Sequence, residues 1–458
     1  MITTSAGYKT NVKASSRQWS AKVDIYFDGE DSPATSLTAA NISAIDFLEE
    51  TQADGDNPLG RVSSNEIVLI LNNKDYDFTP TYTSSPYYGK LIPNLKVEPY
   101  YGLMVSGSYE WISLGTYWTG DWDSPSQSVL STVVCQDRLY KLGDKDVPLI
   151  PTQENLTRKA VFENFFGAIG LLASDFDVDA TQTTVVPRVY YPEGKVRNCL
   201  SKLAEAFNCT VSMDRDNKIK VSNNRTVGAS VITFSEDDML KNVNIPQKFD
   251  NIYTDVDVVY SVHKVTVGES VLKIADVPVP AAGVTLSNLK FSKAPIAMVS
   301  YVKITKSKHI SVGTLEIGSW GLSVQLVNGA SADQTLDIEV FAYPLEITKN
   351  EVSVRDSGAY TLLGEEKALL IDNYLVQSSE EATTYANLIL PIVTDPDAYV
   401  EADTRGDPSI ELTDTITIDS TIAKIGTIEI IPIRFDYSNP GGLSCPILGI
   451  KKSAREGT

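Results

Sequence analysis

Asp175, Asp177 and Asp179 stand at alternate positions and come nearest in this chain to a metal-binding pattern. A calcium loop between two helices begins with such oxygens, but it also needs Gly at its sixth position and Glu at its twelfth. Ala180 and Val186 stand there, so the pattern predicts a solvated loop. Two other acidic clusters, Glu236-Asp237-Asp238 and Glu380-Glu381, place carboxylates side by side. Glycoside hydrolysis needs two carboxylates facing each other across a bond, roughly 5–10 Å apart. Neighbours in sequence do not supply that, and helix-start or surface roles explain both clusters.

Other reactive chemistry is thinly supplied. Cys135, Cys199, Cys209 and Cys445 form no CxxC pair, so neither a disulfide framework nor a zinc site is expected. His263 and His309 are the two histidines, too few for the usual triads and histidine metal sites. Trp111, Tyr117, Trp118 and Trp122 could stack on sugars, but strand aromatics more often pack a core or an interface. Arg405-Gly406-Asp407 spells an adhesion tripeptide ahead of Pro408. Gly and Asp favour turns and Pro forbids helix continuation, so a turn is the expectation. Sequons at Asn41, Asn155, Asn208 and Asn224 matter only on a secretory route. The N-terminus has no apolar core segment, and no secretory leader is expected. No catalytic, cofactor-binding or metal-binding residue is expected, and no cofactor.

The elements that must position these residues are mostly strands. The chain has 458 residues, 42% of them hydrophobic, with 22 tyrosines and a formal charge of −20. Such acidity repels phosphate and argues against stable nucleic-acid binding. No apolar run approaches the ~18 residues of a membrane span. Val23, Ile25 and Phe27 alternate, as do Ile67, Leu69 and Leu71. Pro80 and Pro86 keep the aromatic stretch between them and its flanks out of any central strand. The first ~150 residues thus read as a barrel or sandwich.

The middle changes period. Val161, Phe165, Ile169 and Leu172 recur at helical spacing, with Asn155 at or just before the helix start. Val196, Leu200, Leu203, Ala204 and Phe207 mark a second helix face. Val211 and Met213, answered by Ile219 and Val221, predict a hairpin. After it the chain returns to strands, and residues 264–345 read as a helix-free sandwich. A later helix follows Ser379 as its cap. Ile410, Leu412, Ile416 and Ile418 share one parity and predict a half-buried strand. Near Ile430, Ile431 and Pro432 the inward parity switches, which predicts a bulge or an edge.

The order of these segments resembles the baseplate hub, or tail-tip protein, of tailed bacteriophages and related contractile particles. The resemblance rests on SSRQWSAKVDIYFDG, EIVLILNNKDYDFTP, KLIPNLKVEPYYG and LGTYWTGDW near the start. VRNCLSKLAEAFNCTVSMDRDNKIKV resembles the hubs' helix and hairpin, with Asn217 where they usually carry Gly. ITFSEDDMLKNVNIPQKFDNIYTDVDVVYS resembles their return into a second barrel. EEATTYANLIL with RGDPSIELTDTITI resembles their closing pattern, with Thr413 where Gly is frequent. It leaves out only residues 264–345.

The resemblance implies a mainly β chain with α+β elements: two tube-like β-barrels, a small α+β domain and an inserted β-sandwich. Residues 1–150 with 228–245 form the first barrel, 151–227 the α+β domain, 246–263 with 346–458 the second barrel, and 264–345 the insert. It further implies a structural virion protein at the tail tip or baseplate, made in the host cytoplasm, without enzymatic activity. A homotrimer around the tail axis would present six barrels to a six-fold tube. Its implied partners are the tail tube or distal tail protein, the tape-measure protein, and spike, lysin or fibre proteins. DNA would pass the lumen during ejection without specific binding. Two alternatives stay open: the hub part of a tail-associated cell-wall hydrolase, and a tail protein whose 264–345 module binds host glycan.

Overall fold

Parity in the sequence becomes burial in the structure. In the strand Trp19–Ile25, Ala21, Val23 and Ile25 are buried and alternate with half-buried neighbours. Glu66–Asn72 does the same with Ile67, Leu69 and Leu71. The computed structural model describes residues 1–51, 60, 62–125, 128–224, 227–241, 243–246, 252–395, 397–420, 426–439 and 442–456. These residues are mainly β.

The largest element is a thirteen-stranded sheet. Its path starts at Ser230–Phe234 and passes through Thr415–Ser420, Gly426–Ser438, Ile42–Glu50 and Glu66–Asn72. It continues through Leu130–Gln136, Tyr117–Asp123, Lys96–Val105 and Trp19–Ile25 to Thr35–Leu37. One apolar core lines it, joining Val23, Phe47, Leu69 and Tyr101 to Ile416 and Phe435.

This pairing regroups the expected barrels. The sequence reading places 346–458 with 246–263. Hydrogen bonds instead pair Arg434–Ser438 antiparallel with Asp46–Glu50, inside the N-terminal sheet. Asp255–Val265 pairs with Gln334–Arg355 and Ala368–Asp372 in a separate five-stranded sheet. Periodicity reveals which face of a strand is buried, not which distant strand shares its core.

The α+β region is also wider than 151–227. Val196–Phe207 is a helix with the expected buried face, and Val211 faces Val221 and Met213 faces Ile219 in the hairpin. Their core continues into Val256, Val258, Ile371 and the helix Ser379–Thr394. The helix Arg158–Ala168 is capped by Thr157, two residues after Asn155. It stops before Gly170, whose φ is +90°, and leaves Leu172 exposed. The later helix is capped by Ser378, one residue before Ser379.

Residues 264–345 carry no helix among those described, and two sheets enclose one core built from Val271, Ile296, Leu322, Leu326 and Val340. The strand Gln334–Arg355 runs without a break from this module into the body. Ser319 fastens the module sideways, its N–H donating to Ile150 O at 3.0 Å and its hydroxyl to Tyr191 O at 2.6 Å.

Near the C-terminus the strand starts at Thr415, not at Ile410. Ile410 and Leu412 sit in turns, and Thr415 to Ile418 are all buried, so both faces are covered there. The parity switch is a bulge: the register against Cys445–Lys451 shifts between Pro432 and Arg434. Residues 423–425, expected in the same strand, lie outside the described residues.

Candidate functional site

The residues with chemical potential lie apart. Asp175 accepts from the Leu172 N–H at 2.8 Å and pairs with Arg138 at 3.0 Å, which together hold its carboxyl below the ordinary range. Asp179 instead accepts from the Thr181 N–H at 2.8 Å and the Asn223 N–H at 3.2 Å, and Asp177 is exposed. Among the described residues no group of three His, Cys, Asp or Glu side chains is placed to hold a metal. Glu381 pairs with Arg158 at 2.7 Å, and Asp238 closes a capping box with Ser235.

The aromatic candidates do not share one platform. Tyr117 is buried and donates to Leu114 O at 2.8 Å. Trp118 donates to Glu30 at 2.8 Å, Trp122 lies parallel to Phe78, and Trp111 covers Gly102. All four cysteines are free and buried, and burial pushes the Cys199 thiol up to about 11. His263, half-buried beside Tyr190, is lowered to about 4 by burial and by Arg188. His309 is exposed. Of the sequon residues, Asn208 and Asn224 are buried and bond each other at 3.3 Å.

What the fold does assemble is a buried clasp, which the sequence reading did not find. Its first half begins at the tip of the hairpin. Asp214 Oδ1 accepts from the N–H groups of Asp216 at 3.0 Å and Lys218 at 2.8 Å, and Asn217 takes a φ of +62°. This turn carries Arg215 into the large sheet. Its Nε meets Glu49 Oε1 at 3.0 Å and its Nη2 meets Oε2 at 2.6 Å, with both side chains 3% exposed. Phe47 lies under the guanidinium at 5.3 Å. Arg215 also donates to the carbonyls of Pro408 and Ile410. Burial pushes the Glu49 carboxyl up and the Arg215 charge opposes it. The bidentate geometry is that of an ionised pair.

The second half is the tripeptide Arg405-Gly406-Asp407. Asp407 is buried, and its Oδ1 accepts from Tyr8 Oη at 3.0 Å and Ser409 Oγ at 2.7 Å. Its carbonyl accepts from Tyr437 Oη at 2.9 Å. Arg17 donates to Gly406 O at 2.8 Å, and Arg405 donates to Ala14 O at 2.8 Å. Gly406 has a φ of +71°, and a Cβ there would stand 3.0 Å from Cys445. The N-terminal ammonium reaches Asp414 at 2.9 Å. The tripeptide is therefore an internal turn, as expected, and it ties the N-terminal arm, the hairpin and the large sheet together. Nothing in this cluster offers a reacting centre; its chemistry is mechanical.

No family model matches the chain, and no curated protein does. Solved structures do match. The chain has the fold of phage tail proteins. The 43 kDa tail protein of prophage MuSo2 from Shewanella oneidensis aligns with 95% of this chain and 99% of its own length, at a TM-score of 0.53 and 11% identity. The tail protein from Neisseria meningitidis MC58 aligns over 96% and 98%, at 0.54 and 6% identity. Identities this low carry the fold and not the role.

Proposed function

We propose that this chain is a structural tail protein that forms a ring at the tail tip or baseplate. The observation that carries the reading is its fold, shared nearly end to end with two tail proteins. In this reading the thirteen-stranded sheet contributes tube-like wall, and the clasp around Arg215 and Asp407 keeps that wall rigid under load. Three copies surround the tail axis and join the tail tube or distal tail protein to spike, lysin or fibre proteins, with the tape-measure protein as a further partner. The formal charge of −20 suits a lumen through which DNA passes, because an acidic wall repels phosphate. The 264–345 module is an outward platform, and the protein performs no catalysis.

The test is copy number in intact particles, read by quantitative mass spectrometry against the tube protein. Three copies for each terminal six-membered ring support the reading. Six copies would remove the symmetry argument, and absence from purified particles would remove the role.

A further inference from the structure

The loop between Glu66–Asn72 and Lys96–Val105 has an order that its lack of strands hides. Its backbone closes turns with a period of three residues. The N–H groups of Tyr76, Thr79, Tyr82, Ser85 and Tyr88 donate to the carbonyls of Asn73, Tyr76, Thr79, Tyr82 and Ser85, at 3.0–3.1 Å. Tyrosine occupies every second repeat. Tyr76, Tyr82 and Tyr88 are 51%, 40% and 52% exposed, and the rings of Tyr76 and Tyr82 lie 5.8 Å apart.

The loop is held from beneath by other aromatics. Phe78 is buried and stacks with Tyr87 at 5.4 Å and Trp122 at 6.5 Å, and Tyr87 stacks on Phe27 at 4.7 Å. Asn73 Oδ1 accepts from the Phe78 N–H at 2.8 Å, and its Nδ2 donates to Thr79 Oγ1 at 2.9 Å. Core packing thus uses Phe78 and Tyr87 and leaves the three outer tyrosines free of that duty. A surface already ordered loses little entropy on binding.

Two properties select the ligand. First, residues 78–89 contain no charged side chain, in a chain of net charge −20. Thr79, Thr81, Thr83 and Ser84 stand among the tyrosines and offer hydroxyls that both donate and accept. A charged partner would find nothing to pair with there. Second, the surface is small. Three half-exposed aromatic rings of ~200 Å² present roughly 300 Å², well under the ~800 Å² per partner of a specific protein pair. A neutral chain of repeating pyranose rings fits both properties. Its C–H faces pack on the tyrosine rings and its hydroxyls exchange hydrogen bonds with the threonines. We infer that the Tyr76–Tyr82–Tyr88 loop is a binding site for a neutral polysaccharide.

This inference is independent of the ring reading, since copy number and sugar binding are separate measurements. The test titrates the full-length protein with maltohexaose, cellohexaose and chitohexaose, followed by calorimetry and ligand-observed NMR. At least one should bind at millimolar concentration or better. Changing Tyr76→Ser, Tyr82→Ser and Tyr88→Ser together should weaken that binding roughly tenfold or more, with the melting transition unchanged. If the triple variant melts early, the three single changes carry the test, and each must weaken binding. No binding by any of the three sugars overturns the inference. So does undiminished binding by the substituted proteins, or binding confined to a charged polymer or a protein partner.

Discussion

Arg215 and Glu49 are 166 residues apart in sequence and meet as a bidentate pair at 3.0 and 2.6 Å, sealed from water where the hairpin enters the large sheet. Both ends of the contact are prepared. The Asp214 turn orients the arginine, and Phe47, two residues before Glu49, supplies the ring beneath it. Removing one partner leaves the other charge buried. Arg215→Met should therefore cost about 3–5 kcal/mol, and Glu49→Gln a similar amount. Replacing both, with Arg215→Met and Glu49→Leu, should cost less than the single arginine change. Urea unfolding of the three variants measures this. If the single changes cost under about 1 kcal/mol, as exposed pairs do, the clasp is not a strong tie.

Thr413 is a β-branched residue with a φ of +76°, a conformation that glycine adopts without penalty. Thr413→Gly should stabilise the protein by about 1 kcal/mol, because relief of strain exceeds glycine's greater unfolded-state entropy. The denaturant midpoint should rise at constant slope. A fall would mean that Thr413 makes contacts worth more than its strain.

Much of the fold was legible because it depends on local period. The alternation of Val23 and Ile25, the helix face from Val196 to Phe207 and the pairing of Val211 with Val221 all come from side chains a few residues apart. Thr413 and Asn217 were legible as departures at positions that favour glycine, and both take positive φ. The clasp was not legible. Arg215 and Glu49 look like ordinary surface charges in a sequence, and only long-range pairing shows that one hairpin tip is buried in a distant sheet. The same limit hid the joining of Arg434–Ser438 to Asp46–Glu50. The tyrosine loop was half legible: its prolines excluded a strand, but its period-three turns are a property of the backbone.

His263 gives a signed pH dependence. It is held neutral down to about 4 in the folded protein, against an ordinary value of 6.5. Between those values the unfolded chain binds a proton and the folded chain does not, so stability is lost as pH falls from about 6.5 to 4. His263→Phe should flatten this part of the profile. Asp137 acts in the opposite sense, because burial raises it to about 7; its contribution is full below about 4 and is lost as pH rises towards 7. The comparison must therefore be made between variant and parent at each pH. Parallel profiles would mean that His263 titrates normally.

Val265 stands opposite Leu345 in the antiparallel register of Asp255–Val265 with Gln334–Arg355, so the two ends of the module are strand neighbours. A short Gly/Ser linker can replace residues 265–344 and span that gap. The deletion removes the core around Leu322 and Val340 whole. It leaves Val256 and Val258, which belong to the α+β core, in place with their partner strand. Lost with the module are the Ser319 contacts to Ile150 and Tyr191 and the Thr152 hydroxyl's bond to Ile296 O. These are few and lie at the margin of the remaining body. The shortened chain should unfold in one cooperative transition, with a midpoint modestly below that of the parent. A broad, non-cooperative transition would show that the long strand Gln334–Arg355 needs its outer half to hold its inner half. The module would then be part of the body's folding unit rather than a platform added to it.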